Sequence, residues 1–521
     1  MAHTQKPTNN KSRTENSLRN VRFGLLSQAA AILANFFARG VFVSVLNQGY
    51  LGLEGTFSSI LSMLSLAELG VGTAITYSLY KPLAENNQRE IIALMQLYRK
   101  VYWCIGAVVA LLGVLLTPAL PFIIKDIPDI PNIQLIYLIF VANSALSYFF
   151  VYKQSIIIAD QKKYLESLYH YGLYTLMYLG QTAILVITRN YYCYLGIQLL
   201  TTIARNILLS RKANQLYPYI KQAKPEKLNA EVKSTIIRNT KAMVAHRIGG
   251  VVVLGTDNLL ISFFVGAVSV GLYSNYRMVT NGLSTVYGVI FNSLTASVGN
   301  LGATEGKQRA LEVFQRVDFA GRWLYGFSAV CLVILFNPFI TLWLGSDYLF
   351  NQQLVCLVAL NFYVTGMRQP VLTFRNAYGL YWYDRYKPLF ESVINLVASI
   401  ALAIPFGIAG ILLGTFVSTM TTCFWVEPYV LYKYELEKPV KTYFISYGIN
   451  TLITVIAGAV AWYACGLLPE GGILLFALKA VLCAVSANAV FLLAYHATDE
   501  MRYFVDLARR LLRKFFTRKH G

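Results

Sequence analysis

The chain has 521 residues, of which 56% are hydrophobic and only 13% are charged. Soluble domains carry about 25% charged residues, so this composition excludes an ordinary soluble protein. The net charge of +20 does not indicate a nucleic-acid-binding protein, because the Lys and Arg residues lie in the tails and in short loops between long apolar segments.

The apolar segments are predicted to be membrane-spanning helices, since a span needs about 20 mainly apolar residues. A basic tail over 1–22 precedes the first segment, which is too long for a signal peptide, so we expect an uncleaved first span. The sequence therefore predicts an all-α polytopic membrane protein with about fourteen spans. They are 23–46, 54–80, 99–118, 133–152, 167–188, 191–211, 236–264, 270–299, 321–341, 351–373, 386–406, 408–432, 441–466 and 472–495.

The basic residues predict the orientation of these spans. With the N-terminus in the cytoplasm, 39 of the 45 Lys and Arg residues fall in cytoplasmic loops, adjoining turns and tails. Two, Lys125 and Arg189, fall in outer loops, and the remaining four lie inside spans. Cytoplasmic loops carry such an excess of positive charge. Both termini are therefore predicted to be cytoplasmic, which requires an even number of spans. Twelve spans would satisfy this requirement as well as fourteen.

An internal repeat is visible in the first twelve predicted spans. Segment 50–54 (YLGLE) after span one matches 269–273 (SVGLY) after span seven, 219 residues later, and a short polar loop and a similar helix follow both. An offset of six spans preserves orientation, so the copies are predicted to be parallel repeats about an axis along the membrane normal. Two six-helix lobes are typical of an alternating-access transporter, and a passive scaffold is the alternative.

This repeat predicts the organisation of the whole chain. The predicted parts are a cytoplasmic tail at 1–22, a first lobe at 23–211, a basic cytoplasmic linker at 212–235, a second lobe at 236–433, two extra helices at 434–495 and a basic cytoplasmic tail at 496–521. Within the last part, apolar residues of 501–516 recur at helical spacing with Arg and Lys between them. We expect an amphipathic helix anchored by anionic lipids of the inner leaflet; binding of a partner protein is the alternative.

Polar residues within span one indicate a cavity. A charged side chain costs roughly 2.5–3.5 kcal/mol at mid-bilayer, so such residues usually face a polar path. Span one carries Arg39, and Gln28 and Asn35 lie on the same side of the helix. The three residues form one stripe and are predicted to bind substrate.

Further intramembrane charges extend this predicted site. They are Glu54 and Glu68 in span two, His246, Arg247 and Asp257 in span seven, Arg277 with Asn281 in span eight, and Lys479 in span fourteen. The spacing places Arg39, Asp257, Arg277 and Lys479 at a common level, roughly 10 Å below the outer surface.

We predict that these groups form a net positive cavity for an anionic ligand, with Arg247, Asn281 and Glu68 also lining it. Glu54 is expected at its rim. The alternatives are a structural pair of Asp257 with Arg277 or Arg39, and a Lys479 side chain that extends to the outer interface.

Motifs for catalysis or metal binding are absent from the sequence. The seven cysteines form no C-x-x-C pair, and the five histidines have no metal-ligand spacing. No Ser/His/Asp set, P-loop or G-x-G-x-x-G fingerprint is visible. We therefore expect no enzyme activity, no cofactor and no metal site. We hypothesise that Asp257 or Glu68 binds H⁺ or Na⁺ and couples transport to an ion gradient.

One segment carries a family resemblance. Residues 66–84 (LAELGVGTAITYSLYKPLA) resemble bacterial polysaccharide transporters, the Wzx-type flippases for O-antigen and capsule repeat units. Segments 94–100 (LMQLYRK), 255–262 (GTDNLLIS) and 270–276 (VGLYSNY) add to the likeness, which covers about residues 20–435. These transporters belong to the multidrug/oligosaccharidyl-lipid/polysaccharide exporter superfamily.

The resemblance implies two six-helix lobes around a cationic cavity, which Arg39, Arg247 and Arg277 would supply here. It implies transport of an undecaprenyl-diphosphate-linked oligosaccharide across the bacterial inner membrane, alongside other polysaccharide-assembly proteins. Arg suits this ligand because it can bind a diphosphate bidentately. The alternatives are a drug or cation exporter of the same superfamily and a membrane polysaccharide polymerase or acyltransferase.

Overall fold

The computed structural model describes residues 10–68, 71–221, 233–234, 236–237, 255–304, 306–469 and 471–517. Over these ranges the ordered elements are all helices, with no strand. The chain divides into two compact units, Met1–Gly271 and Leu272–Gly521.

The first unit contains nine described helices and the first turn of a tenth. They are α1 (Asn10–Val45), α2 (Gln48–Leu64), α3 (Val71–Ala84), α4 (Gln88–Leu116), α5 (Leu120–Ile123), α6 (Ile133–Ala159), α7 (Lys163–Thr188), α8 (Tyr191–Leu216), α9 (255–264) and the start of α10 (Ala267–Thr304). Short 3-10 turns occupy Ser65–Glu68, Thr117–Ala119 and Pro218–Ile220. Helix α1 packs along α7, and α7 contacts α8.

The second unit contains the rest of α10 and nine further described helices. They are α11 (Gly306–Trp343), α12 (Gln352–Met367), α13 (Gln369–Ala377), α14 (Lys387–Phe406), α15 (Ile408–Ser418), α16 (Phe424–Leu431), α17 (Lys441–Gly466), α18 (Ile473–Tyr495) and α19 (Asp499–Thr517). Two 3-10 turns lie at Ser346–Tyr348 and Leu380–Trp382, and two π-helical turns lie at Thr419–Cys423 and Tyr432–Leu436. Helix α11 contacts α12, α17 and α18.

Asparagine residues cap the N-termini of four of these helices. The side-chain oxygen of Asn47 accepts hydrogen bonds from the backbone N–H groups of the first turn of α2. Asn87, Asn190 and Asn351 cap α4, α8 and α12 in the same way. Because the first N–H groups of a helix have no partner within it, these caps fix where the helices start.

The predicted fold class, an all-α polytopic membrane protein, is confirmed. Ten described helices are long and apolar enough to cross a membrane. Helices α8 and α10 correspond to predicted spans six and eight but are less apolar. Most of predicted span seven, residues 238–254, lies outside the described residues.

The predicted span 54–80 is not one uninterrupted α-helix. Helix α2 ends at Leu64, a 3-10 turn follows, and α3 begins at Val71. Hydroxyl groups bond to the backbone around this break: Ser65 Oγ donates to Ser62 O at 2.5 Å and Thr76 Oγ1 donates to Gly72 O at 2.8 Å. Such side-chain bonds compete with regular helical hydrogen bonding, which the apolar pattern of the sequence does not reveal.

The predicted domain bounds, including a linker at 212–235, stay a prediction. The two compact units divide after residue 271, and α9 is hydrogen-bonded within the first of them. Asn258 Nδ2 donates to Ser59 Oγ at 3.1 Å, and the backbone N–H of Lys125 donates to Ser262 O at 3.0 Å. Of the predicted linker, α8 already covers the residues up to Leu216, and 222–232 lie outside the described residues.

Two glycines at matching positions of the predicted repeat allow helices to cross closely. A Cβ atom at residue 52 would overlap the carbonyl oxygen of Ala267, and a Cβ at residue 271 would lie 2.9 Å from the carbonyl oxygen of Gln48. Because 219 residues separate Gly52 from Gly271 and also Gln48 from Ala267, the contact is reciprocal. Reciprocal contacts of this kind are what a two-fold relation between two segments produces.

The predicted tail helix is present as α19, and its start packs on α11. The ring of Phe504 stacks on Phe319 at a centroid distance of 5.9 Å, and the Arg316 guanidinium lies 4.1 Å from the centroid of the Tyr503 ring. The tail therefore has a protein contact in addition to the predicted membrane contact, which stays a prediction.

Replacing Gly52 by Ala should destabilise the protein by about 1–3 kcal/mol, since the new methyl group meets backbone that cannot rotate away. Thermal unfolding of the purified protein in detergent measures this. Gly196→Ala in α8 is the matched control, because nothing lies within 4 Å of its Cβ position. Equal stability of the Gly52→Ala variant and the unchanged protein would show that the crossing is not close.

Candidate functional site

A polar cavity lies inside the first unit, between α1, α2, α7 and α8. Its volume is about 160 Å³. The residues that line it are Asn35, Ala38, Arg39, Phe42, Glu54, Tyr174, Met177, Tyr178, Gln181, Tyr194 and Gln198. Two charged groups, three amides and three tyrosines share this space, so the cavity can receive a ligand that is charged and rich in hydrogen-bonding groups.

A loose ion pair spans the cavity. Arg39 Nη1 lies 4.0 Å from Glu54 Oε2, and the two side chains are 17% and 25% exposed. This distance exceeds that of a direct charge-assisted hydrogen bond, which is about 2.7–2.9 Å. The guanidinium therefore keeps donors that an incoming anion can use.

Aromatic and amide side chains form the opposite wall. Tyr174 and Tyr178 lie one turn apart on α7, with ring centroids 6.3 Å apart. Tyr194 of α8 packs edge-on against Phe42 of α1 at 5.2 Å, and Gln181 Nε2 donates to the Tyr194 carbonyl oxygen at 3.2 Å. These contacts hold the wall in place. Tyrosine rings and amides can stack on and bond to a polyhydroxylated ligand.

Two of the predicted residues lie together in this cavity, and their role in binding substrate stays a prediction. Asn35 and Arg39 lie one turn apart on α1 and both line the cavity. Gln28 is partly buried two turns earlier on the same helix and is not among the lining residues. Glu54, expected only at the rim, is the partner of Arg39.

Other predicted residues of the first unit lie elsewhere. Glu68 is in the 3-10 turn after α2 and accepts a hydrogen bond from the Tyr102 hydroxyl at 2.7 Å. Asp257 is buried at 6% exposure in α9, two residues after the first described residue of that helix. His246 and Arg247 lie outside the described residues.

The remaining predicted residues belong to the second unit. The Arg277 guanidinium lies 5.7 Å from the centroid of the Tyr273 ring, and Asn281 is exposed on the next turn of α10. Lys479 lines a cavity of about 450 Å³ together with residues of α11, α12 and α17, including Gln352 and Trp462. The common level of Arg39, Asp257, Arg277 and Lys479 stays a prediction.

A buried cluster of four charges in the second unit was not predicted. Arg368 donates to both carboxylate oxygens of Glu427, at 2.9 and 2.7 Å, and Lys387 also bonds to Glu427. Arg368 Nη1 lies 3.5 Å from Glu391 Oε1. Glu427 is fully buried. The positive-inside count grouped Arg368 and Lys387 with the cytoplasmic loops and the adjoining turns of the spans. Spacing along the chain does not reveal partners on other helices.

Three further ion pairs lie within or between helices. Arg322 bonds to Asp318 one turn earlier on α11 and to the hydroxyl of Ser446 on α17. Arg375 Nη1 lies 2.8 Å from Asp384 Oδ2, and Arg205 Nη2 lies 3.6 Å from Glu166 Oε1. The Arg322–Asp318 and Arg375–Asp384 contacts are direct and buried, unlike the loose Arg39–Glu54 pair, whereas Arg205 and Glu166 are 17% and 13% exposed.

Fold and cavities define a multi-pass helical membrane protein with polar interior sites. Its fold matches that of the lipid II flippase MurJ in an inward closed conformation, with a TM-score of 0.61 and 15% sequence identity over 89% of this chain and 98% of that chain. An inward-facing multidrug resistance MATE family transporter of the MOP superfamily gives a TM-score of 0.59 and 12% identity over 77% of this chain and 94% of that chain.

A mutant of the MATE transporter VcmN from Vibrio cholerae also shares the fold, with a TM-score of 0.54 and 13% identity over 82% of this chain and 99% of that chain. No protein-family model and no curated protein sequence matches the chain. At these identities the likeness is one of fold.

Glu427→Gln should destabilise the protein by about 3–5 kcal/mol, because it leaves the cations of Arg368 and Lys387 buried without their shared partner. Thermal unfolding in detergent measures the loss. Glu437→Gln is the control, since its side chain is 62% exposed and its ion pair with Lys307 is at the surface, where pairs contribute about 0–1 kcal/mol. Equal losses in the two variants would contradict a structural role for the cluster.

Proposed function

We propose that the protein flips an undecaprenyl-diphosphate-linked oligosaccharide across the bacterial inner membrane by alternating access, for surface polysaccharide assembly. The observation that carries this proposal is the cavity around Arg39, where a loosely paired guanidinium lies among tyrosine and amide side chains. The shared fold with a protein named as a lipid II flippase supports it.

The Arg39–Glu54 pair suits a ligand that must bind and then leave. A diphosphate can accept two parallel hydrogen bonds from the guanidinium, which Glu54 at 4.0 Å does not use fully. When the anion departs, the Glu54 carboxylate remains as the partner of Arg39. The cation is then never left unpaired in a low-dielectric cavity, which would cost several kcal/mol.

The rest of the cavity suits the sugar part of such a substrate. Tyr174 and Tyr178 present rings on successive turns of α7, and Gln198 and Asn35 add amide groups. A volume of about 160 Å³ holds only a small part of an oligosaccharide. We therefore assign to this cavity the diphosphate and the adjoining sugar, with the lipid chain remaining in the bilayer.

The main alternative is export of a cationic small molecule, as the names of the MATE neighbours suggest for those proteins. Glu54 is the observation that favours it. Against it, Arg39 balances this carboxylate, so the lining residues carry no net negative charge. A polymerase or acyltransferase is a weaker alternative, because the lining residues include no histidine and no second carboxylate.

Several further assignments belong to the same proposal. Both termini would lie in the cytoplasm, α19 would bind anionic lipids of the inner leaflet, and other polysaccharide-assembly proteins would be partners. The protein would act without a cofactor and without catalysis, and a gradient of H⁺ or Na⁺ acting through Asp257 or Glu68 would drive it. The excess of basic residues on one side of the predicted spans supports this orientation.

Arg39→Ala should lower the flipping rate about tenfold or more, because it removes the charge-assisted bonds to the diphosphate. Vesicles that contain the purified protein and lipid-linked oligosaccharides of different sugars provide the assay. Arg39→Lys should retain part of the rate, since a point charge remains. Arg309→Ala, which removes an exposed cation paired with Glu312, is the control. A normal flipping rate in Arg39→Ala would refute the assignment of the cavity. Export of cationic drugs by the unaltered protein at a higher rate than lipid flipping would favour the cation-exporter alternative.

Ion coupling gives a separate prediction. Collapsing both the H⁺ and the Na⁺ gradient across the vesicle membrane should slow flipping if Asp257 or Glu68 binds the driving ion. Asp257→Asn and Glu68→Gln, tested singly, should identify which carboxylate is responsible, because the neutral amide keeps the side-chain shape. Flipping that continues unchanged without gradients would leave the cavity assignment intact and exclude coupling.

A further inference from the structure

A second, apolar groove lies on the second unit, beside the start of α17. Its volume is about 630 Å³, within the range of small-molecule sites. It is formed by the loop before α14, by α16 and by the first turns of α17. The adjoining spans end at Leu436 and begin at Lys441, so the groove lies where the chain passes from the bilayer core to the headgroup region.

Aromatic rings form both sides of this groove. Tyr383 and Tyr434 stack with their ring centroids 3.7 Å apart and their planes 16° apart. Trp425 contacts Phe444 at a centroid distance of 4.9 Å. These rings are far from covered, since Trp425 is 56% and Tyr383 is 50% exposed. An apolar surface this large at membrane depth is covered by lipid chains.

Lys441 is the one charged residue among those that line the groove, and none of them is acidic. Lys433 donates from Nζ to the Tyr429 hydroxyl at 2.8 Å and lies 5.4 Å from the centroid of the Tyr434 ring. Both lysines therefore lie at the headgroup end of an aromatic wall, where each can attract an anionic headgroup by about 1 kcal/mol.

We propose that this groove is a binding site for an anionic glycerophospholipid. One acyl chain lies along Trp425 and Phe444, and the phosphate group is bound by Lys433 and Lys441. A zwitterionic phospholipid offers the same chain but no net negative charge, so the groove should select the anionic lipid. The site is independent of the proposed transport function, because none of its residues belongs to the Arg39 cavity.

Quenching of Trp425 fluorescence tests the site in the full-length protein. The protein is placed in phosphatidylcholine vesicles that contain a small fraction of either phosphatidylglycerol or phosphatidylcholine with brominated acyl chains. Subtracting the signal of Trp425→Phe isolates the groove from the other five tryptophans of the six in the chain. Brominated phosphatidylglycerol should quench Trp425 at a membrane fraction on the order of thirtyfold lower than brominated phosphatidylcholine does.

The double variant Lys433→Gln/Lys441→Gln should lose this preference, whereas Arg502→Gln/Arg510→Gln on α19, with the same change in charge, should keep it. High salt should also reduce the preference in the unaltered protein, since it screens exposed charges. Equal quenching by the two brominated lipids would overturn the proposal and indicate ordinary surrounding lipid. A preference for phosphatidylglycerol that survives in the lysine variant would likewise overturn the proposal. So would a result in which undecaprenyl phosphate displaces the brominated phosphatidylglycerol at a lower membrane fraction than unlabelled phosphatidylglycerol does.

Discussion

The need to pair every charge that lies within the helices governs this structure. In a medium of low dielectric constant, an isolated ion is far more costly than an ion with a well-placed partner. A cluster in the second unit meets this requirement with closed contacts, in which Glu427 is fully buried between Arg368 and Lys387. In the described part of the first unit, Arg39 and Glu54 form a looser pair, since they are 4.0 Å apart and both remain partly exposed.

This difference in closure separates structural charges from the candidate site. A closed pair cannot exchange its partner without a large loss of stability, so the Glu427 cluster is suited to holding α12, α14 and α16 together. The Arg39–Glu54 pair can admit a third group because its donors and acceptors are not saturated. Buried charge alone is therefore a poor sign of a ligand site in this protein, and incomplete pairing inside a cavity is a better one.

The sequence was sufficient to predict features that depend on neighbours along one helix. The long apolar segments predicted the all-α fold, and a spacing of one turn placed Asn35 and Arg39 on one face. Partners on other helices were not predictable, because Arg368 and Glu427 are 59 residues apart. The break between α2 and α3 was missed for another reason: its hydroxyl-to-backbone bonds lie within an apolar pattern that continues on both sides.

The π-helical turn at Thr419–Cys423 has a consequence for the history of the chain. Such a turn holds one extra residue, which rotates the residues after it by about 100° relative to an uninterrupted α-helix. Glu427 follows this turn and faces Arg368 in that rotated register. Loss of a single residue from the turn would swing Glu427 away from both cations. Related chains should therefore carry the extra residue and the charge cluster together or lack both. In an alignment, a one-residue gap at this turn would then separate the chains without the cluster from those that have it.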